Sequence, residues 1–228
     1  MNFVRDLHRH RARHFSQNGE DGVIERLMEH VGITNRFYVE LGAGNGRECN
    51  TRYLREKGWS GVMIDCDHED PALDLHREFI TMANVDSLMG KFNVPDSFDV
   101  LSIDIDGNDY WVWKALSPRY RPRVVVVEYN AGLPSDVAVT IPYHPDYRWA
   151  GQPDTGHSLL ALRNLSMTKG YSLVYAGAPN AFLVLTSTLP PDYREVSLRA
   201  AAREGWIEAR AREARWRSGL KHLPWVSL

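Results

Sequence analysis

FYVELGAGNG, residues 37–46, sets a short apolar run directly before three glycines at alternate positions. Phe37, Tyr38, Val39 and Leu41 surround one acid, Glu40, and Gly42, Gly44 and Gly46 follow. The pattern predicts a buried strand running into a glycine-rich turn. Residues 50–57 then have helical character, so the unit reads strand, turn, helix. Glycine has no Cβ, so it admits a sharp turn and lets a ligand lie against backbone N–H groups at a helix start. A dinucleotide site wants G-x-G-x-x-G. Here the spacing is E-x-G-x-G-x-G, with a carboxylate two residues before the first glycine. A tight strand–turn–helix with no ligand is the plain structural alternative.

Working outward, 228 residues suit one domain large enough to bury a real core. A hydrophobic content of 43% with 25% charged residues is that of an ordinary globular protein rather than a disordered or fibrous one. A formal net charge of −2 supplies no global basic field, so neither nucleic acid nor a membrane is an expected partner. Cys49 and Cys66 fall in different elements, make neither a disulfide framework nor a zinc spacing, and fit a reducing compartment. The start, MNFVRDLHRHRARHF, has no apolar core of a secretory signal, and no run approaches transmembrane length. A cytoplasmic protein is expected. Its expected organisation is a basic extension over 1–14, a main domain over 15–188 and a helical extension over 189–228.

The extension carries His8, Arg9, His10, Arg11, Arg13 and His14 and reads as a solvated terminus in preference to an anion-binding arm. SQNGEDG, residues 16–22, is a polar cap before an amphipathic helix at 23–31, or a segment folded over a ligand. A second strand, 58–67, ends in Asp65 and Asp67. Asp65 lies roughly 20 residues past the glycine turn, the offset at which an acid meets a ribose in nucleotide-binding sheets. A third short strand and its exit are expected at 79–86. A fourth, 98–106, closes on Asp104 and Asp106 and leads into a helix at 108–116. Trp111 and Trp113 there read as core in preference to ring-stacking groups.

RVVVVEYN, residues 123–130, holds four consecutive valines, which means burial on both faces and a central parallel strand. It ends in Glu128 and Asn130. Two neighbouring strands thus close on oxygen ligands of the kind hard divalent cations take. The stretch 133–156 is long for a loop in a compact domain, and its Tyr, Arg and Trp content suits a substrate-facing lid. His157 starts a helix at 157–169, where it is either a neutral base or a bystander. Strands at 171–175 and 180–186, joined through AGAP, read as antiparallel neighbours. Residues 195–217 read as one long helix, packed on the core or against a second copy in a homodimer.

In this order and spacing, SQNGEDG, VELGAGNG, GWSGVMIDCD, LSIDIDGNDYWVWKAL and RVVVVEYN resemble the FkbM-like branch of class I S-adenosylmethionine (SAM) methyltransferases, over residues 15–186. The family's pattern usually has Glu where Asp106 stands, and Glu or Asp at Asp65. The resemblance implies an α/β, Rossmann-like fold with a mostly parallel seven-stranded sheet, a terminal antiparallel hairpin and helices on both faces. It implies SAM as cofactor, with Gln17, Glu40, Gly42, Gly44, Asp65, Asp86 and Asp104 as its contacts. The expected reaction is O-methylation of a hydroxyl on a small molecule, sugar or secondary metabolite. The strand-end acids are also similar in layout to those of metal-dependent catechol O-methyltransferase. That implies magnesium or another divalent ion at Asp104, Glu128 and Asn130. O-methylation wants a metal or a general base, and Asp106 or His157 is the candidate for the base. The rivals are an N-methyltransferase, a SAM- or nucleotide-binding module without chemistry, and an NAD-dependent oxidoreductase.

Overall fold

The computed structural model describes residues 3–152, 155–177, 179–195, 197–198, 214 and 216–228. Its strands are β1 (Phe37–Leu41), β2 (Ser60–Asp65), β3 (Leu75–Arg77), β4 (Ser97–Ile103), β5 (Arg121–Glu128), β6 (Val139–Thr140), β7 (Tyr171–Ala176), β8 (Asn180–Leu185) and β9 (Val226–Ser227). The helices are α1 (Glu20–Val31), α2 (Arg52–Glu56), α3 (Val85–Lys91), α4 (Asp109–Ala115) and α5 (Leu159–Thr168). Seven strands form one sheet in the order β3-β2-β1-β4-β5-β8-β7, and β6 pairs with β9 in a separate ribbon. Strands β1 to β5 are parallel, whereas β8 runs antiparallel to both β5 and β7. This is the expected α/β, Rossmann-like fold, a mostly parallel seven-stranded sheet with a terminal antiparallel hairpin.

The valine run shows why β5 is central. Alternate side chains of a strand point to opposite faces. Val125 and Val127 join the core on the face covered by α3, α4 and α5, with Trp113 and Leu162. Val124 and Val126 join the core on the other face, with Ile24 and Leu27 of α1. All four valines are fully buried. A fully buried β-branched strand needs helices on both sides, and the chain supplies them through its crossovers. Chain order along the sheet reverses between β1 and β4. Open α/β sheets bind ligands beyond the strand C-termini at such a switch point.

Two expectations are corrected here. The third strand is Leu75–Arg77, ahead of 79–86, and Val85–Lys91 is helix α3. Asn84 accounts for the difference: its Oδ1 accepts from Thr81 N at 2.7 Å and its Nδ2 donates to Phe79 O at 2.8 Å, so the segment closes into a turn before the helix. The second is corrected in part: Arg9, His10, Arg11, Arg13 and His14 are solvent-exposed as expected, but the segment that carries them is packed on the domain. Leu7 is fully buried in the α1-side core, Ala12 N donates to Gly19 O at 3.2 Å, and His14 stacks on Tyr53 at 4.0 Å. Most of the long helix read at 195–217, and the dimer surface read on it, lie outside the described residues.

Candidate functional site

A cleft of about 570 Å³ opens over the strand ends at the switch point, and Glu40, Asp65, Asp104, Asp106 and Glu128 all line it. The β1 end is built first. Glu40 is buried, and its carboxylate accepts from Asn50 N and Thr51 N, each at 2.8 Å, and from the Thr51 hydroxyl. Burial raises its pKa, and those donors work against the rise. Glu40 therefore holds the segment that starts α2, and it meets any ligand with its lone pairs largely committed. Gly42 has φ +88°, and a Cβ there would fall 1.6 Å from Asp104 O, so glycine alone lets the β1 and β4 ends approach. Gly44, at φ +53°, has open space where a side chain would stand.

Asp65 closes β2 and ties the glycine turn to it. Its Oδ2 accepts from Gly44 N at 2.9 Å, and its Oδ1 accepts from Asp67 N and His68 N at 2.9 and 3.0 Å. Asp67, the other acid of this stretch, lies just past β2 and pairs instead with Arg148 at 3.0 Å. Gln17 reaches the same cleft from the segment before α1.

Across the cleft, Asp104, Asp106 and Glu128 bring one carboxylate oxygen each within 4.8 Å of one another. Asp104 is pushed well above the usual carboxylate range by burial, then by the charges of Asp109 and Asp106. Glu128 is pushed up by burial and by Asp104. Asp106 is raised by burial and by Asp65, and it holds φ +59°, a left-handed conformation uncommon outside glycine. Asp109, absent from the sequence-derived site, explains how Asp106 is held. Its carboxylate accepts from Ile105 N and Gly107 N, both at 2.8 Å, and folds the β4–α4 turn around Asp106. The D-I-D-G-N-D spacing was the available signal.

The lid expected within 133–156 lies on this cleft. Tyr147 packs so closely on Gly107 that a Cβ there would fall 2.3 Å from its ring. Arg148 reaches across to Asp67 and lies 5.3 Å from the Phe79 ring centroid. Gln152 braces the tip by donating to the Tyr147 hydroxyl at 2.7 Å. Two amides missed from sequence also line the cleft, Asn108 and Asn180. Asn108 Nδ2 donates to His144 O at 2.8 Å, and Asn180 Nδ2 donates to Glu20 Oε1 at 3.0 Å.

Three sequence-derived candidates are not at the site. Asp86 lies in the first turn of α3, where its Oδ1 accepts from Ser117 N at 2.8 Å, so it braces the α4–β5 loop rather than a cofactor. Asn130 spends its amide on the loop after β5: Nδ2 donates to Thr155 O and Oδ1 accepts from Gly132 N, each at 2.9 Å. Asp106 takes its place in the oxygen cluster. His157 is fully buried outside the cleft lining, bridged to Thr140 and 5.7 Å from the Tyr110 ring. Burial brings its pKa down to about 3, and it has no route to a substrate proton. Among the described residues, no helix is long and apolar enough to cross a membrane.

No family model and no curated protein matches the chain. Solved structures do match. CalO1, a methyltransferase in calicheamicin biosynthesis in its SAH-bound form, is 18% identical over 72% of this chain and 55% of its own, with a TM-score of 0.37. A putative S-adenosylmethionine-dependent methyltransferase from Listeria monocytogenes is 12% identical over 72% of this chain and 95% of its own, at 0.40. The MycE methyltransferase of the mycinamycin pathway, in complex with Mg and SAH, is 14% identical over 85% of this chain and 59% of its own, at 0.37. This chain thus spans little more than half the length of CalO1 and MycE. At these values the likeness carries no functional weight of its own.

Proposed function

We propose that this chain is a SAM-dependent methyltransferase that methylates a hydroxyl oxygen of a small molecule. One observation carries the reading: a glycine turn tied to a strand-end acid, and a cluster of three carboxylates, share a single cleft at the sheet's switch point. Gln17, Gly42, Gly44 and Asp65 form the donor half, with Glu40 holding the α2 start beneath it. Asp104, Asp106 and Glu128 form the acceptor half.

The donor arrives already activated as a sulfonium, so much of the rate comes from holding two reactants in line, worth roughly 7–11 kcal/mol. The acceptor hydroxyl is the harder partner, because an O–H of this kind is nearly as weak an acid as water, with a pKa of about 15.7. In this reading Asp106 takes the hydroxyl proton. The oxygen then attacks the methyl carbon, and the electron pair of the breaking C–S bond returns to sulfur. A positioned base contributes about 10²–10⁴-fold, and a carboxylate raised toward the working pH is the more effective one. The three clustered carboxylates fit a divalent cation as hard oxygen ligands. Bound there, such an ion would lower the pKa of the acceptor hydroxyl.

Isothermal titration with SAM and NADH tests the donor half, and binding of NADH without SAM would overturn it. Transfer of radiolabelled methyl from SAM to hydroxylated and to amine acceptor pools tests the rest. Label on oxygen is the expected result. Label on nitrogen would make the chain an N-methyltransferase, and SAM binding without any transfer would make it a binding module.

A further inference from the structure

We propose that Asn180 and Asn108 present their amide oxygens, together with Asp104, Asp106 and Glu128, as an oxygen-only site for one hard divalent cation. The acid cluster alone would not carry this. The amides add an independent observation, because each has one end fixed and the other unmatched. Asn180 Nδ2 donates to Glu20 Oε1 at 3.0 Å, and Glu20 Oε2 is already held by Asn18 N at 2.8 Å. A carboxylate partner must face the NH₂ group, so the oxygen is the other end. Asn108 is fixed in the same way, its NH₂ facing His144 O at 2.8 Å.

Neither Oδ1 has a hydrogen-bond partner among the described residues, although Asn180 is only 3% exposed and Asn108 only 4%. A buried acceptor without a donor costs about 1–3 kcal/mol, so a fold keeps two of them in one cleft at a real expense. The surrounding groups offer no relief, because the cleft's one cation among the described residues, Arg148, is turned to Asp67. Asn180 stands opposite Glu128 in the β5–β8 register. Directly opposed residues of an antiparallel pair share a face, so the Asn180 amide projects on the Glu128 side. Three carboxylates and two amide oxygens, with no nitrogen or sulfur ligand, match the preference of magnesium, calcium or manganese and not of zinc. The proposal deepens the metal-assisted form of the methyltransferase reading but does not need it, since cation binding is separable from SAM binding.

The test uses the full chain and Mn²⁺ as probe, followed by electron paramagnetic resonance and calorimetry, with Mg²⁺ and Ca²⁺ as competitors. One Mn²⁺ is expected to bind, and Asn180→Leu and Asn108→Leu to weaken it tenfold or more, with fold integrity checked by circular dichroism. Asn130→Ala should leave the affinity unchanged. A measurement without substitution covers the case in which a variant misfolds. In protein labelled with ¹⁵N-asparagine, Mn²⁺ should broaden the side-chain amide signals of Asn180 and Asn108. Absence of Mn²⁺ binding, unbroadened signals from both amides, or wild-type affinity in both leucine variants would overturn the site. SAM titration of the same samples keeps the two readings apart: SAM binding without Mn²⁺ binding rejects only the cation site, and the converse rejects only the donor site.

Discussion

Replacing His157 with leucine should flatten the acid limb of this protein's stability curve. The wild-type imidazole is fully buried, and neither ring nitrogen has a partner among the described residues. Burial holds its pKa at about 3 in the fold, against about 6.5 in an unfolded chain. Between those values the unfolded state binds the extra proton, so this residue's linkage makes stability rise with pH and fall as acid is added. At about 1.4 kcal/mol per pKa unit, the loss from His157 is about 2 kcal/mol between pH 7 and pH 5, and about 3 by pH 4. Its full extent, about 5 kcal/mol, is reached only below about pH 3. For a domain whose whole stability is about 5–15 kcal/mol, that is a large share. Urea unfolding followed by circular dichroism at about pH 7, 6 and 5 reads it directly. The wild type should lose about 2 kcal/mol more than His157→Leu from the top of that range to the bottom. Leucine brings no unpaired nitrogen into the core, so the variant should not be less stable near neutrality by more than about 1–2 kcal/mol of repacking. It should also keep the wild type's level of the proposed methyl transfer, because the residue lies outside the cleft. Parallel pH curves for the two proteins would refute the reasoning, for they would mean that the folded imidazole titrates normally.

Gly42→Ala should prevent folding or cost more than about 4 kcal/mol, because its Cβ would overlap the Asp104 carbonyl, whereas Gly44→Ala meets open space and should cost only the left-handed backbone penalty of about 1–2 kcal/mol. Thermal denaturation of the pair separates the two. Arg148→Ala should change stability by less than about 1 kcal/mol, since Arg148 and Asp67 are 57% and 59% exposed and solvent screens their attraction; chemical denaturation at low and high salt checks this. Asp109→Ala should cost about 2–4 kcal/mol in denaturant unfolding by leaving the Ile105 and Gly107 N–H groups without their acceptor, and Asp109→Asn should recover part of that.

The parallel strands were legible because each announces itself locally: four valines buried on both faces in β5, an apolar run before glycines in β1. Strand β3 was not, because LHR owes its extended form to pairing with β2, a partner that no local pattern names. That the glycine turn, Asp65 and the Asp104–Asp106 pair share one cleft was legible for the same local reason, each group being a chain neighbour of a strand end. The errors at His157 and Asn130 concern groups whose position depends on register. His157 looked available at a helix start, but the bridge to Thr140 closes over it. Asn130 looked like a ligand because it follows Glu128 by two residues, yet the chain has already turned and its amide is spent on Gly132 and Thr155. The amide that does stand beside Glu128 is Asn180, far along the chain. One further step from the sequence would have found it. If β8 is antiparallel to β5, its first residue must lie at the rim where β5 ends, and that first residue is Asn180. A terminal hairpin therefore does more than close the sheet edge: it returns a strand start, with its polar side chain, to the row of strand ends where the carboxylates gather.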